Sequence, residues 1–283
     1  MRVLVATDLS AAADIALRQG SALIHSPSDA FAVVHVLPVE YVDFIYTDPQ
    51  VLSDRTAERV KDATSVVHER TATLTARPDA IFVDEGTDYA AVIRRAEAWN
   101  ADVIVVGSSG RSGLDRSVGH VATKVVRHAH CSVLVARPSP ESGWVLAATD
   151  LSEPSLPAIS AAAVEARRRG AKLKVVHAVS FGIEEAAYLL QLSTPSMPNE
   201  ISELRPIRAA LVEAVAKISP GATSELLSGP VVAEIVREAE SLSAELLVVA
   251  TRGRTGLARL ALGSVAEKLV RTAPCSVLAV RKE

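Results

Sequence analysis

The chain has 283 residues, 49% of them hydrophobic and 22% charged, with a formal net charge of −3 and two cysteines. That is enough apolar material for a large core, and the length suggests two domains at roughly 150 residues each. The near-neutral balance, without a basic block, excludes the electrostatic footprint of a nucleic-acid or acidic-membrane binder, and no apolar run approaches bilayer-spanning length.

Met1 and Arg2 lead straight into Val3-Leu4-Val5-Ala6 without the zones of a secretory leader, so the mature protein is expected to begin where the sequence does. Short Val/Leu/Ile runs then alternate with longer segments of helical period, predicting strands near 2–7, 31–37, 80–84, 102–107 and 132–136. After Arg137-Pro138-Ser139-Pro140-Glu141-Ser142-Gly143, a natural linker, the pattern resumes with strands near 144–149, 172–178, 223–227, 245–250 and 276–281. Pro, Ser and Tyr interrupt segments 38–60 and 179–205, each of which reads as a loop feeding one long helix. In the first helix of the second half, Leu156, Ile159, Ala163 and Val164 fall on one predicted face. Ser152 is its N-cap candidate, and Pro154 and Pro157 are tolerable because they lie in the opening turns.

The second half repeats the first. Val3-Leu4-Val5-Ala6-Thr7-Asp8-Leu9-Ser10 returns as Val145-Leu146-Ala147-Ala148-Thr149-Asp150-Leu151-Ser152, and the same offset pairs His35 with His177. Gly110 pairs with Gly253 one residue farther apart, and Cys131-Ser132-Val133-Leu134 with Cys275-Ser276-Val277-Leu278 one more again. A period this long is a domain duplication, with domains expected at 1–140 and 141–283. Five strands joined by helical crossovers predict an α/β fold: two tandem three-layer α/β/α domains, each with an open, mainly parallel sheet. The matched cysteine contexts suggest duplicated core positions in a reduced compartment, hence the cytoplasm, rather than a disulfide framework.

Ligands of an open parallel sheet sit beyond the carboxyl ends of the strands, where strand order reverses. In each half, Thr7-Asp8 or Thr149-Asp150 should therefore meet the glycine-containing loop that starts near Gly107 or Ala250. Glycines after a strand let backbone N–H groups approach an anion closely, and the next helix N-terminus adds partial positive charge, so phosphate is the natural guest. Ser264 would add a hydroxyl donor, and Arg252, Arg254 and Arg259 positive charge.

These residues together resemble the universal stress protein family, over nearly all of both halves. Its ATP-binding members carry Gly, two residues, Gly, nine residues, then Gly followed by Ser or Thr, with an Asp ending the first strand and a small apolar residue ending the second. In the second half Gly253, nine intervening residues and Gly263-Ser264-Val265-Ala266 match, with Ala250 in place of the first glycine. That methyl costs little in an extended backbone and much at positive φ. The first half has Gly107-Ser108-Ser109-Gly110, but only eight residues precede Gly119, and His120 replaces the hydroxyl residue. The shortened loop leaves weaker binding, a shorter phosphate chain or no binding open for that half; His120 can still donate to phosphate.

The resemblance implies that Ala148, Thr149, Asp150 and Ala178 hold the adenosine of ATP, ADP or AMP. It gives Val249, Ala250, Arg252 and Gly253 the ribose and inner phosphates, and Gly263 to Ala266 the distal ones, with Mg²⁺ entering only through phosphates. In the first half the matching positions are Thr7, Asp8, Val36, Gly107, Gly110, Gly119 and His120. It also implies pairing of the two halves through their last strands, Ser132–Ala136 and Ser276–Val280, and further homo-oligomerisation.

From the residues alone, Asp8 and Asp150 are equally readable as turn or cap residues. His35 and His177 read as satisfied sheet histidines, and Cys131 and Cys275 as inert core thiols. His128-Ala129-His130-Cys131 sits at a helix-to-strand junction, where its side chains diverge, and is not expected to bind metal. There is no GxxxxGK[ST] loop, and Gly107-Ser108-Ser109-Gly110 is one residue short of a nucleophile elbow. The expectation is therefore a cytoplasmic stress-response protein that senses an adenine nucleotide, chiefly in its second domain, without being a turnover enzyme. The alternatives are a nucleotide-free interaction scaffold and, third, a slow ATP hydrolase.

Overall fold

The computed structural model describes residues 1–39, 49–108, 118–180, 204–253 and 262–281. The chain divides into two compact units, Met1–Pro138 and Ser139–Lys282. In the first, β1 (Arg2–Thr7), α1 (Ala11–Ser21), β2 (Ala30–Leu37), α2 (Pro49–Thr71), β3 (Ala80–Glu85), α3 (Asp88–Ala98), β4 (Val103–Gly107), α4 (His120–His128) and β5 (Ser132–Ala136) follow one another. The second repeats the series as β6 (Trp144–Ala148), α5 (Leu156–Arg169), β7 (Lys172–Val179), α6 (Leu204–Ile218), β8 (Thr223–Ser228), α7 (Val231–Ser241), β9 (Leu246–Ala250), α8 (Ser264–Thr272) and β10 (Ser276–Val280).

Within each unit the strands pair in parallel, in the order β3-β2-β1-β4-β5 and β8-β7-β6-β9-β10. The chain steps outward from β1 to β3 and then crosses back to β4 and β5. Right-handed crossovers therefore place α1 and α2 on one face and α3 and α4 on the other. This makes three layers, with the reversal of strand order between β1 and β4 and, in the second unit, between β6 and β9.

Central strands covered on both faces must be apolar throughout. Val3, Leu4 and Val5 of β1 and Val145, Leu146 and Ala147 of β6 are accordingly inaccessible to solvent. Gly20 of α1 packs so close to β1 that a Cβ there would run into the Val5 side chain. The second copy makes the opposite choice at the matching positions, Ala147 in the strand and Ala162 in the helix, both fully buried. Volume is thus traded across the contact, and α5 avoids the helix-propensity cost of roughly 1 kcal/mol that a mid-helix glycine imposes.

The face expected for α5 is rotated. Ala158, Ile159, Ala162, Glu165 and Ala166 are buried, whereas Val164 is 37% exposed and Leu156 and Ala163 are half-buried. Glu165 takes a core-facing position because its carboxylate pairs with Arg168 and Arg169 one turn on. Pro157 lies in the first turn of α5, and Pro154 in the preceding 3₁₀ turn, Glu153–Ser155, where a missing N–H costs nothing.

Candidate functional site

The sequence Thr-Asp-Leu-Ser folds into the same turn at the carboxyl ends of β1 and β6. The Thr hydroxyl oxygen accepts from the Leu N–H, at 3.1 Å for Thr7 and Leu9 and 3.0 Å for Thr149 and Leu151. An Asp carboxylate oxygen accepts from the Ser N–H at 3.0 Å in both copies, Asp8 from Ser10 and Asp150 from Ser152. These bonds hold leucine in the left-handed region, φ 64° for Leu9 and 62° for Leu151, a conformation that costs an L-residue about 1–2 kcal/mol. Behind each turn a buried histidine braces the backbone: the Nδ1–H of His35 donates to the Thr7 carbonyl and that of His177 to the Thr149 carbonyl, both at 2.8 Å. Since a carbonyl only accepts, the proton sits on Nδ1.

The two turns then diverge. Ser10 is a true N-cap, its hydroxyl oxygen accepting from Ala13 N–H at 3.3 Å. Ser152 instead donates its hydroxyl to Asp150 Oδ1, makes no side-chain cap, and passes the chain into the 3₁₀ turn, where Ser155 donates to the Ser152 carbonyl at 2.8 Å. Asp150 Oδ1 is therefore held twice.

Asp150 Oδ2 lies against Gly253. A Cβ built on Gly253 would collide with that oxygen and stand 3.3 Å from the carboxyl carbon. The end of β6 and Gly253 beyond β9 are thus in contact, and register explains why: Ala148 is level with Val249 on one side and Val176 on the other. Ala178, 8% exposed, lies two positions beyond Val176 on β7, and Val36, half-buried, holds the matching place on β2.

A backbone hydrogen bond joins the described ends of each loop. Gly263 N–H donates to the Thr251 carbonyl at 2.9 Å, and Gly119 N–H to the Ser108 carbonyl at 2.6 Å. Gly263 and Gly119 are the N-caps of α8 and α4, and neither offers a capping side chain. Ser264 and Val265 open α8 exposed to solvent, Ala266 is buried, and His120 opens α4 exposed. Arg252 is half-buried beside Gly253, and Glu267 stands in the first turn of α8, where α4 has no acid. Gly110, Ser109, Arg254 and Arg259 lie outside the described residues.

At two loop positions the structure supplies the physical reason. Gly107 ends β4 under α1, and a Cβ there would stand 2.9 Å from the Ala12 carbonyl carbon and oxygen, so close helix packing alone demands glycine. Ala250, at the matching end of β9, lies in extended strand and away from positive φ, so its methyl carries no backbone strain. Sequence reading missed the Thr251 and Ser108 carbonyls that close the loops, and the left-handed leucines. The repeated Thr-Asp-Leu-Ser was the available signal for the second.

Cys275 is buried and Cys131 half-buried, so only one of the expected core thiols is in the core; neither forms a disulfide. His128 stacks obliquely on Tyr89 with ring centres 6.0 Å apart. Among the described residues no three His, Cys, Asp or Glu side chains gather as a metal site, and no helix is long and apolar enough to cross a membrane.

The model of the universal stress protein family matches residues 1–137 and again 144–281. Universal stress protein Rv2623 of Mycobacterium tuberculosis (strain ATCC 25618 / H37Rv) is 28% identical over 294 residues, covering 99% of this chain and 96% of that protein. Universal stress protein Rv2005c of the same strain is 32% identical over 204 residues, covering 64% of this chain and 62% of that relative, less than two thirds of its length. The crystal structure of a universal stress protein from Archaeoglobus fulgidus DSM 4304 shares the fold, with a TM-score of 0.70 at 18% identity over 100% of this chain and 98% of that one. Matched twice along its length by one family model, the chain belongs to the universal stress protein family and carries the family's domain in tandem.

Proposed function

We propose that the protein is a cytoplasmic stress-response sensor built as two domains, 1–140 and 141–283, which binds an adenine nucleotide, ATP first among ATP, ADP and AMP, chiefly in the second. The observation that carries this is the contact of Asp150 with Gly253: one carboxylate oxygen is fixed by Ser152 and the other faces the loop glycine of the neighbouring strand end. On this reading Asp150, Thr149, Ala148 and Ala178 hold the adenosine, and Val249, Ala250, Arg252 and Gly253 the ribose and inner phosphates. The uncapped N–H groups of Ser264, Val265 and Ala266 receive the distal phosphates. In the first domain Thr7, Asp8, Val36, Gly107, Gly110, Gly119 and His120 form the weaker counterpart. Mg²⁺ enters only bridged by phosphates. Nucleotide occupancy stabilises one conformation by mass action, which suits a sensor rather than a turnover enzyme. The two domains pair within the chain through their last strands, and whole chains associate further.

The second reading is a nucleotide-free interaction scaffold, favoured by Glu267, whose carboxylate stands in the helix turn that would meet the distal phosphates. A slow ATP hydrolase is the third. The test is to purify the protein from cells, identify any co-purified nucleotide, and titrate it calorimetrically with ATP, AMP and cyclic AMP. Bound nucleotide, or saturable heat that Asp150→Ala abolishes, supports the sensor; neither supports the scaffold. ATP turnover lost in both Asp150→Ala and Gly263→Val supports the hydrolase.

A further inference from the structure

The N-terminal unit holds a cleft that does not include the Asp8 turn. The cleft, of about 390 Å³, is lined by one side of α1, from Asp14 to Ser21, by the last turn of α2 and by the chain just beyond it. α1 starts beside Asp8 and runs back toward the amino end of β2. Its 11 residues span about 16 Å, and the cleft follows it from Asp14 in the first turn to Ser21 in the last, which sets Arg18 about two turns beyond the Asp8 turn.

The charges lining this cleft do not cancel locally. Arg70 Nη1 donates to both carboxylate oxygens of Asp14, at 2.6 and 2.8 Å, which neutralises that pair and fixes one wall. Arg18 and Glu69 line the same cleft with opposite charges, both exposed, and form no ion pair with each other or with any other described residue. Half-buried Leu74 supplies apolar surface, with the hydroxyls of Thr73 and Thr75 at the rim. Two helices end here, and the partial negative charge of their carbonyl ends favours a cation.

We propose that this cleft binds a small zwitterion, an α-amino acid with an apolar side chain. Its carboxylate meets the planar guanidinium of Arg18, a geometry suited to two parallel hydrogen bonds. Its ammonium lies against Glu69 and the carbonyl end of α2, and its side chain covers Leu74. The volume lies within the range usual for small-molecule sites. At the position matching Arg18 the second unit has Ser160, which lacks the cation, so the site belongs to the first unit alone.

The test is calorimetry of the full chain with L-leucine, L-valine and L-methionine, beside N-acetyl-L-leucine, which lacks the ammonium, and L-leucinamide, which lacks the carboxylate. The expected result is saturable binding of at least one free amino acid, with each blocked leucine derivative at least tenfold weaker. Arg18→Gln and Glu69→Gln should each weaken binding at least tenfold while leaving the unfolding temperature unchanged. Absence of binding up to about 10 mM, well above the millimolar Kd that corresponds to ~4 kcal/mol, overturns the proposal. So does equal binding of either blocked derivative to the wild-type chain, a comparison that holds even if a variant folds poorly.

Discussion

Gly253→Ala puts a methyl group where Asp150 keeps its carboxylate. The new Cβ runs into Oδ2 and comes within 3.3 Å of Cγ, and the carboxylate has nowhere to retreat without loss. Its Oδ1 accepts from the Ser152 N–H at 3.0 Å and from the Ser152 hydroxyl, and swinging the group aside breaks both bonds. Hydrogen bonds to a charged acceptor contribute about 1.5–3 kcal/mol each, and the half-exposed position of Asp150 brings the pair down to about 2 kcal/mol in total. For a unit of this size that is a fall in melting temperature of about 6 °C. Removing the carboxylate removes the collision, so in an Asp150→Ala background Gly253→Ala should be close to neutral, giving a coupling of about 2 kcal/mol. Trp144 opens β6, and the only other tryptophan is Trp99, so fluorescence in a Trp99→Phe background follows the second unit by itself. Effects that add within about 0.5 kcal/mol would refute the contact between Asp150 and Gly253.

Gly107→Ala should destabilise the first unit by about 1–3 kcal/mol, because the obstacle is the backbone of α1 and not a side chain that can turn away; Ala250→Gly should cost under about 1 kcal/mol. Trp99 fluorescence in a Trp144→Phe background reads the first, and equal losses would sink the packing explanation. Leu151→Val should cost more than the ~0.8 kcal/mol of one buried methylene, since a β-branched residue is strained at φ 62°; a smaller loss in thermal unfolding contradicts this. Burial alone would lower the pKa of Lys174, but its hydrogen bonds to Glu225 and Glu238, with ion-pair distances of 2.6 Å, outweigh that and hold it above its ordinary value. A raised lysine stabilises the fold fully below its unfolded pKa of about 10.4 and ceases to as pH rises through the folded one, so Lys174→Met should flatten the alkaline fall in melting temperature. Equal slopes would contradict it.

What could be read from the chain beforehand was whatever depends on periodicity. Runs such as Val103-Ile104-Val105-Val106 announce buried parallel strands because both faces of the sheet are covered, and β4 and β9 form within a residue or two of the positions expected. Burial along α5 was less legible: Val164 looks like core by type, but the charged Glu165 takes the inward position because Arg168 and Arg169 follow it. At the candidate site, residue types pointed to the cleft without giving their reasons. Glycine at 107 serves the backbone of α1 and glycine at 253 serves the carboxylate of Asp150, and both contacts join segments far apart in the chain. Likewise the closing acceptors are carbonyls of Ser108 and Thr251, which any residue type would supply and no sequence motif records.

The two copies control for each other. Between the closing carbonyl and the capping glycine the first loop is one residue shorter, yet both loops are tied off by the same hydrogen bond into an uncapped helix. The one-residue difference lies between those two ends, and the units differ further in His120 for Ser264, in Val36 for Ala178, and in Ser10, which caps α1 where Ser152 holds Asp150. Charge pulls the other way, because α8 carries Glu267 in its first turn and α4 carries no acid there. A carboxylate at a helix N-terminus offsets part of the dipole's attraction for an anion, by about 0.3–1 kcal/mol. Loop spacing therefore favours the second unit and terminal charge the first, and nucleotide stoichiometry decides between them. One nucleotide per chain, lost in Asp150→Ala and kept in Asp8→Ala, means spacing governs. Two per chain, each lost with its own aspartate, means the closed loop and helix end suffice, and binding confined to the first unit would overturn the assignment to Asp150.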